Sequence, residues 1–207
     1  MIHSRLARVV LALVVVLVLA TAAAAQSVNP PARSVGDTWT RSHGLVITVV
    51  TVDESGSIES GYLQDCPTCL SHFDKSWNFK GIITDAGGKS VDVTQLRGAF
   101  TGPGWRFYDW PLEVKKSWDF SGQGFFRAQP TKYDVSAAVK GYEDVKTKAG
   151  TFKAFKIQYD WETRNRFQGT SRWTVTNWYA PEVRSVVKST TTSPGGQDWE
   201  LVSYNLK

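Results

Sequence analysis

Histidine, cysteine and methionine are scarce in this 207-residue chain, which holds three His, two Cys and a single Met, the initiator. Beyond the apolar start only His43 and His72 remain for base catalysis. Neither stands in a Ser-His-Asp or Cys-His arrangement, and no G-x-S-x-G elbow is present. Cys66, Cys69 and His72, with Asp65 or Asp74 nearby, fall short of a zinc set, because no second Cys or His pair follows. Leu70 stands where C-x-x-C-H haem attachment needs its His. No catalytic residue, metal or cofactor is therefore expected. Charge of one sign is lacking too: the formal +5 falls to +3 once Arg5 and Arg8 are set aside, and the remaining Lys and Arg alternate with acids. That pattern argues against a nucleic-acid or anionic-membrane partner.

Arg5 and Arg8, the apolar run Val9–Ala20 and the small residues Thr21–Ala25 form a secretory signal pattern with cleavage after Ala25. The apolar run is too short to span roughly 30 Å of hydrocarbon as a helix, and no second long apolar segment follows. No Cys lies near the cut, so a lipid-anchored variant is not expected. The organisation reads as a signal peptide over 1–25, a linker over 26–34 with its Pro pair, and one β domain over 35–207. The mature protein is expected in the periplasm or secreted, with no stable membrane span after cleavage.

Nine Trp, seven Tyr and ten Phe, with many Val and Thr, favour sheet over helix. Leu45–Val52 is β-branched on both faces, which predicts a strand buried on both sides or near a curve. Trp77–Thr84 and Ser90–Leu96 flank the turn residues Asp85–Gly88. Lys116–Ala128 and Lys132–Lys146 read as strands separated by Gln129–Thr131. Phe155, Ile157, Tyr159 and Trp161 alternate with Lys156, Gln158, Asp160 and Glu162, the period-2 mark of one dry and one wet face. Ser171–Ala180, Val183–Thr191 and Gln197–Asn205 complete the series. Apart from the leader, at most one short helix is expected, near Pro67–Lys75. The fold class is all-β: a curved antiparallel meander, half-barrel or open barrel. Val35-Gly36-Asp37-Thr38-Trp39 is echoed by Val114-Lys115-Lys116-Ser117-Trp118, and each opens a run of strands.

Cys66 and Cys69 are expected to form a disulfide in an exported chain. A redox pair is the sharper alternative, but it needs a helix N-terminus in an α/β fold, and a metal role is the third. The acids Glu143-Asp144 and Asp160 with Glu162 lie along wet faces. Trp105, Phe107, Trp110 and Trp118 are the candidate ligand-binding residues. They fall in a stretch whose aromatics occupy both faces, so some should lie outside the core.

Val35–Trp39, Trp110–Trp118, Ala149–Ile157, Trp178–Val183 with Val187-Lys188, and Glu200–Tyr204 together resemble the TapB-like family. Its members are exported bacterial proteins of unknown function, related to the outer-membrane-lipoprotein type of curved sheet. The chain departs from that pattern at Lys148, where Pro is common, and at Lys115, where Gly is common. The resemblance implies a curved antiparallel sheet, and it transfers no catalytic residue. The leading expectation is a non-catalytic binding or interaction domain. Its partner would be an apolar or amphipathic small molecule held on the concave face, or an envelope protein. The alternatives are a glycan-active hydrolase with paired carboxylates and a purely structural envelope protein.

Overall fold

A computed structural model of the chain describes residues 27–62, 66, 68–85, 105–126 and 129–207. The expected signal peptide, the strand expected over Ser90–Leu96 and turn residues 86–88 lie outside them. The first strands are β1 (Ser27–Val28), β2 (Thr38–Arg41), β3 (Val46–Asp53), β4 (Gly56–Ser60), β5 (Cys69–Asp74), β6 (Phe79–Asp85) and β7 (Leu112–Glu113). Then follow β8 (Ser117–Phe126), β9 (Gln129–Thr147), β10 (Gly150–Asn165), β11 (Gly169–Ala180), β12 (Ser185–Thr191) and β13 (Trp199–Asn205). Among the described residues the one helical element is a 3-10 turn at Pro181–Val183.

Eleven strands form one sheet in the order β6-β5-β4-β3-β2-β13-β12-β11-β10-β9-β8, while β1 pairs with β7. Every named pairing in it is antiparallel. Two consecutive meanders, β2–β6 and β8–β13, are thus joined where the last strand pairs with the first, Tyr204 opposite Trp39. The sheet is curved and open, with β6 and β8 left as its ends.

The predicted alternation holds in β10. Phe155, Ile157, Tyr159 and Trp161 are buried, whereas Lys156, Gln158 and Glu162 are half-buried and Asp160 is exposed. Each fully buried aliphatic or aromatic side chain of this kind contributes about 1.5–3 kcal/mol. A register shift at Lys156/Ile157 bends the long β9–β10 hairpin. Beyond the bend, Val145 and Phe152 join Trp39, Ile47 and Leu201 in one core. The other core gathers Phe73, Trp77, Tyr108, Ile157 and Tyr179.

The allowance for at most one short helix holds among the described residues, and 69–74 of the stretch considered for it form β5, whose residues alternate buried and half-buried. One strand boundary needs correction. Gln129–Thr131 lies inside β9, because Phe126 pairs with Gln129 and leaves only 127–128 between the strands. β3 takes the second of its two expected forms, a strand near a curve: its register shifts between Val49 and Thr51, and it is buried on one face, with Ile47 and Val49 inside and Val46, Val50 and Val52 exposed. Valine favours strand geometry on either face, so composition could not show the difference. The segment 27–34, expected as a linker, is extended but docked on the domain. β1 pairs with β7, and the Arg33 side chain is only 5% exposed.

Arg33 supplies a cation to an interior stack. Its guanidinium lies 4.4 Å from the Trp39 ring and 3.8 Å from the Trp77 ring. Trp77 then stacks on Tyr108 at 5.2 Å, and Tyr108 on Trp110 at 5.0 Å. The counter-charge is Glu59, fully buried, 3.4 Å from Arg33 and hydrogen-bonded by the Trp77 indole at 3.0 Å. Asp37, also fully buried, accepts from the Ser34 and Lys207 amides and pairs with Arg184 at 3.3 Å. One carboxylate thereby joins the turn before β2 to the last residue, Lys207.

Candidate ligand-binding cleft

Between β6 and β8 the chain crosses the inner face of the sheet as an irregular strap, residues 105–111. Trp105 forms a bridge with Phe79 of β6. The backbone carbonyls of Arg106 and Phe107 accept from the Trp118 indole at 2.9 Å and the Tyr159 hydroxyl at 2.6 Å. The Tyr108 amide donates to Asn78 at 3.2 Å, and the Trp110 indole donates to the Ser76 carbonyl at 2.7 Å. Lys116 holds the Pro111 carbonyl at 2.9 Å. The strap therefore links the two open ends of the sheet through side chains more than through ladder bonds.

Strand register places the opposite wall. Trp161 of β10 faces Trp173 of β11, and Tyr159 faces Val175, which in turn faces Thr191 of β12. The Trp161 and Trp173 rings stack at 6.0 Å and 6°, and Trp105 meets Trp161 edge-on at 5.6 Å. Between strap and sheet lies a cleft of about 280 Å³, with Trp105, Phe107, Tyr159, Trp161, Trp173 and Val175 as its apolar lining. Asn177, Ser189, Thr191 and Ser193 complete it on the β11–β12 side. Burial pushes the Tyr159 hydroxyl far above the ordinary phenol range, and Tyr179 likewise. Tyr159 thus stays a protonated donor to the strap at any ordinary pH.

The four residues singled out from sequence divide in two. Trp105 and Phe107 are half-buried and line the cleft. Trp110 and Trp118 do not line it and instead fasten the strap. Trp118 is 6% exposed, and Trp110 packs on Tyr108 and Tyr179. Sequence reasoning missed Trp173, Val175 and Asn177. The alternation Trp173, Val175, Asn177, Tyr179 carried the signal, with one amide interrupting an aromatic and aliphatic column.

Cys66 and Cys69 are joined as a disulfide at the entry to β5. Both sulfurs are spent on that bond, so the Cys66–Cys69–His72 metal set is not assembled. His72 lies instead beside the Ser55 hydroxyl at 3.3 Å. On the wet face of β8–β11 a broad groove of about 880 Å³ collects Asp119, Asp134, Asp160, Glu162, Arg164 and Arg172. Glu162 accepts from Arg164 at 2.8 Å and Arg172 at 2.7 Å, and these bonds lower its pKa. Asp160 accepts from Thr174 at 2.8 Å. A glycosidase acid requires the opposite environment, one that raises its pKa.

Residues 133–205, from β9 through β13, match a family model described as DUF3108-like. A protein of Parabacteroides distasonis described as a lipoprotein superposes with a TM-score of 0.50 at 14% identity, over 87% of this chain and 100% of that one. An exported protein of Bacteroides fragilis with a YmcC-like fold gives 0.39 at 16% identity, over 87% and 100%. The lipoprotein YmcC of Escherichia coli K12 gives 0.43 at 10%, over 87% and 90%. The last two overlaps are too loose to carry an argument. No curated protein matches. The first likeness shows a shared curved-sheet fold, and the DUF3108-like match falls on the half of the sheet that supplies the cleft wall.

Proposed function

We propose that the chain is an exported, non-catalytic binding domain of the bacterial envelope, periplasmic or secreted. It holds an apolar or amphipathic molecule in the cleft beneath the strap. One observation carries this reading: Trp105 and Phe107 of the strap line a cleft with an aromatic floor, whereas Trp110 and Trp118 lie outside its lining and fasten the strap. A concave, mostly apolar site with a few polar groups at one side is the usual form of a small-molecule pocket. The signal pattern supports export, and the TapB-like phrases, which fall mostly on turns and core, support the envelope setting. The arginine-neutralised Glu162 lends nothing to a hydrolase.

Tryptophan fluorescence titrated with fatty acids, detergents and oligosaccharides tests the reading. A saturable shift is expected with acyl chains, weakened in Trp105→Ala and retained in Trp178→Phe. Trp178 stands on the wet face between Lys156 and Lys188 and serves as the control. No response to any class, with Trp105 shielded from quencher in the free protein, overturns it in favour of a structural envelope role.

A further inference from the structure

Asn177 is out of place by every local criterion. It sits in the middle of β11, between Ile157 of β10 and Ser189 of β12, both buried. Asparagine is depleted in strands, and the neighbouring inner-face residues of β11 are Val175 and Tyr179. The Asn177 Oδ1 is buried and accepts no hydrogen bond among the described residues. An unsatisfied buried amide oxygen destabilises a fold, and an apolar residue of similar shape would not. Packing therefore gives no reason for an amide here, whereas the cleft does, since Asn177 forms part of its lining.

The rest of the lining narrows the ligand chemistry. Ser189, Thr191 and Ser193 add hydroxyls, and none of the described lining residues is charged. A carboxylate drawn into this cleft would lose water without gaining a counter-ion. A hydroxyl or amide N–H would instead find an acceptor that the protein leaves unused. The strap side chains that share this lining with Asn177 are Trp105 and Phe107, both half-buried.

We infer that Asn177 determines the specificity of the cleft. It selects a neutral amphipathic ligand whose hydroxyl or amide N–H donates to Oδ1 while its apolar body lies against the Trp105, Trp161 and Trp173 rings. This rests on the binding reading above and adds the ligand class. The test titrates 1-monooctanoylglycerol, octanoate and methyl octanoate, each below its aggregation concentration, into wild type and Asn177→Val. Tryptophan fluorescence reports binding, and thermal melts report stability. The monoglyceride is expected to bind about tenfold more tightly than the other two, equivalent to about 1.4 kcal/mol. Asn177→Val is expected to erase that preference while melting higher than wild type. Equal affinities, a preference for octanoate, or a monoglyceride preference that survives Asn177→Val overturn the inference and leave the cleft a binding site. No saturable response from any probe overturns the binding reading and the inference together. If Asn177→Val does not fold, Asn177→Asp takes its place. It keeps an acceptor, and it should retain the monoglyceride and reject octanoate more strongly. Octanoate binding as tightly to Asn177→Asp as to wild type counts against the inference.

Discussion

Gly36 and Lys115 occupy the same place in the two meanders, and each holds a positive φ, 89° and 76°. Around the first, the Gly36 amide donates to Val49 O, Asp37 to Ser34 O, and Val49 to Asp37 O, at 2.9, 3.0 and 3.0 Å. Around the second, Lys115 donates to Val139 O, Lys116 to Glu113 O, and Val139 to Lys116 O, at 2.9, 3.1 and 2.9 Å. A buried Trp follows in both, Trp39 donating to Val183 O and Trp118 to Arg106 O. The side chains diverge on this common backbone. Asp37 is fully buried and ties the C-terminal Lys207 to the turn before β2, whereas Lys116 is 22% exposed and ties the strap through Pro111 and Asp109. Across the next strand Val49 faces the buried charge Glu59, while Val139 faces Ile157. The repeated unit is a hydrogen-bonded strand entry that accepts either charge, and each copy fastens a different piece of irregular chain.

The comparison breaks most sharply at its charged positions. Asp37→Ala removes a buried carboxylate that accepts from two amides and pairs with the half-buried Arg184, and should cost about 3–5 kcal/mol in denaturant melts, mostly through the two charge-assisted bonds. Lys116→Ala, at the matching site, should cost under about 1 kcal/mol. Equal costs would show that Lys116 is as structural as Asp37. Next, Ile157→Ala should cost roughly 2–5 kcal/mol as a fully buried truncation, while Lys156→Ala stays within about 0.5 kcal/mol. A reversed order would place the wrong face of β10 inside. The two tryptophans then test whether the entries are matched in energy. Trp39→Phe and Trp118→Phe each leave a carbonyl without its donor and should lose about 1–3 kcal/mol apiece. A loss confined to Trp39 would make the second indole bond incidental. The smallest effect concerns the backbone. A left-handed conformation costs a non-glycine residue roughly 1–2 kcal/mol, so Lys115→Gly should raise stability by about 1 kcal/mol, and Gly36→Ala should lower it. A neutral Lys115→Gly would mean that its lysine side chain offsets the strain.

Much of this was legible in the chain because strand periodicity is local. The alternation from Phe155 to Glu162 fixes which face of β10 is dry without reference to any other strand. The aromatics on both faces of residues 105–110 marked that stretch as something other than core strand, and it is the strap. What could not be read depends on distant partners. Which strap aromatics remain over the cleft is decided by where Tyr159, Trp161 and Asn78 happen to lie. Arg33 sits in a polar, Pro-containing segment with nothing nearby to suggest burial, and its partners Trp39, Glu59 and Trp77 come from two strands and a loop. Asn177 was readable in principle, as the one amide in an inward-facing column, but only once that column is known to line a cleft.

The pairing of β2 with β13 brings residues near the two ends of the domain side by side, Thr38 opposite Asn205. Contacts of such long range make the closing step slow, because a large loop must be ordered before any bond rewards it. For a chain synthesised N-terminus first, β2 meets its partner only after Asn205 has been made. The first meander must therefore wait with the β2 edge unpaired while the second is completed. An unpaired edge is a template for any other strand, so the last seven-residue strand is also the one that takes the first meander out of reach of stray pairing.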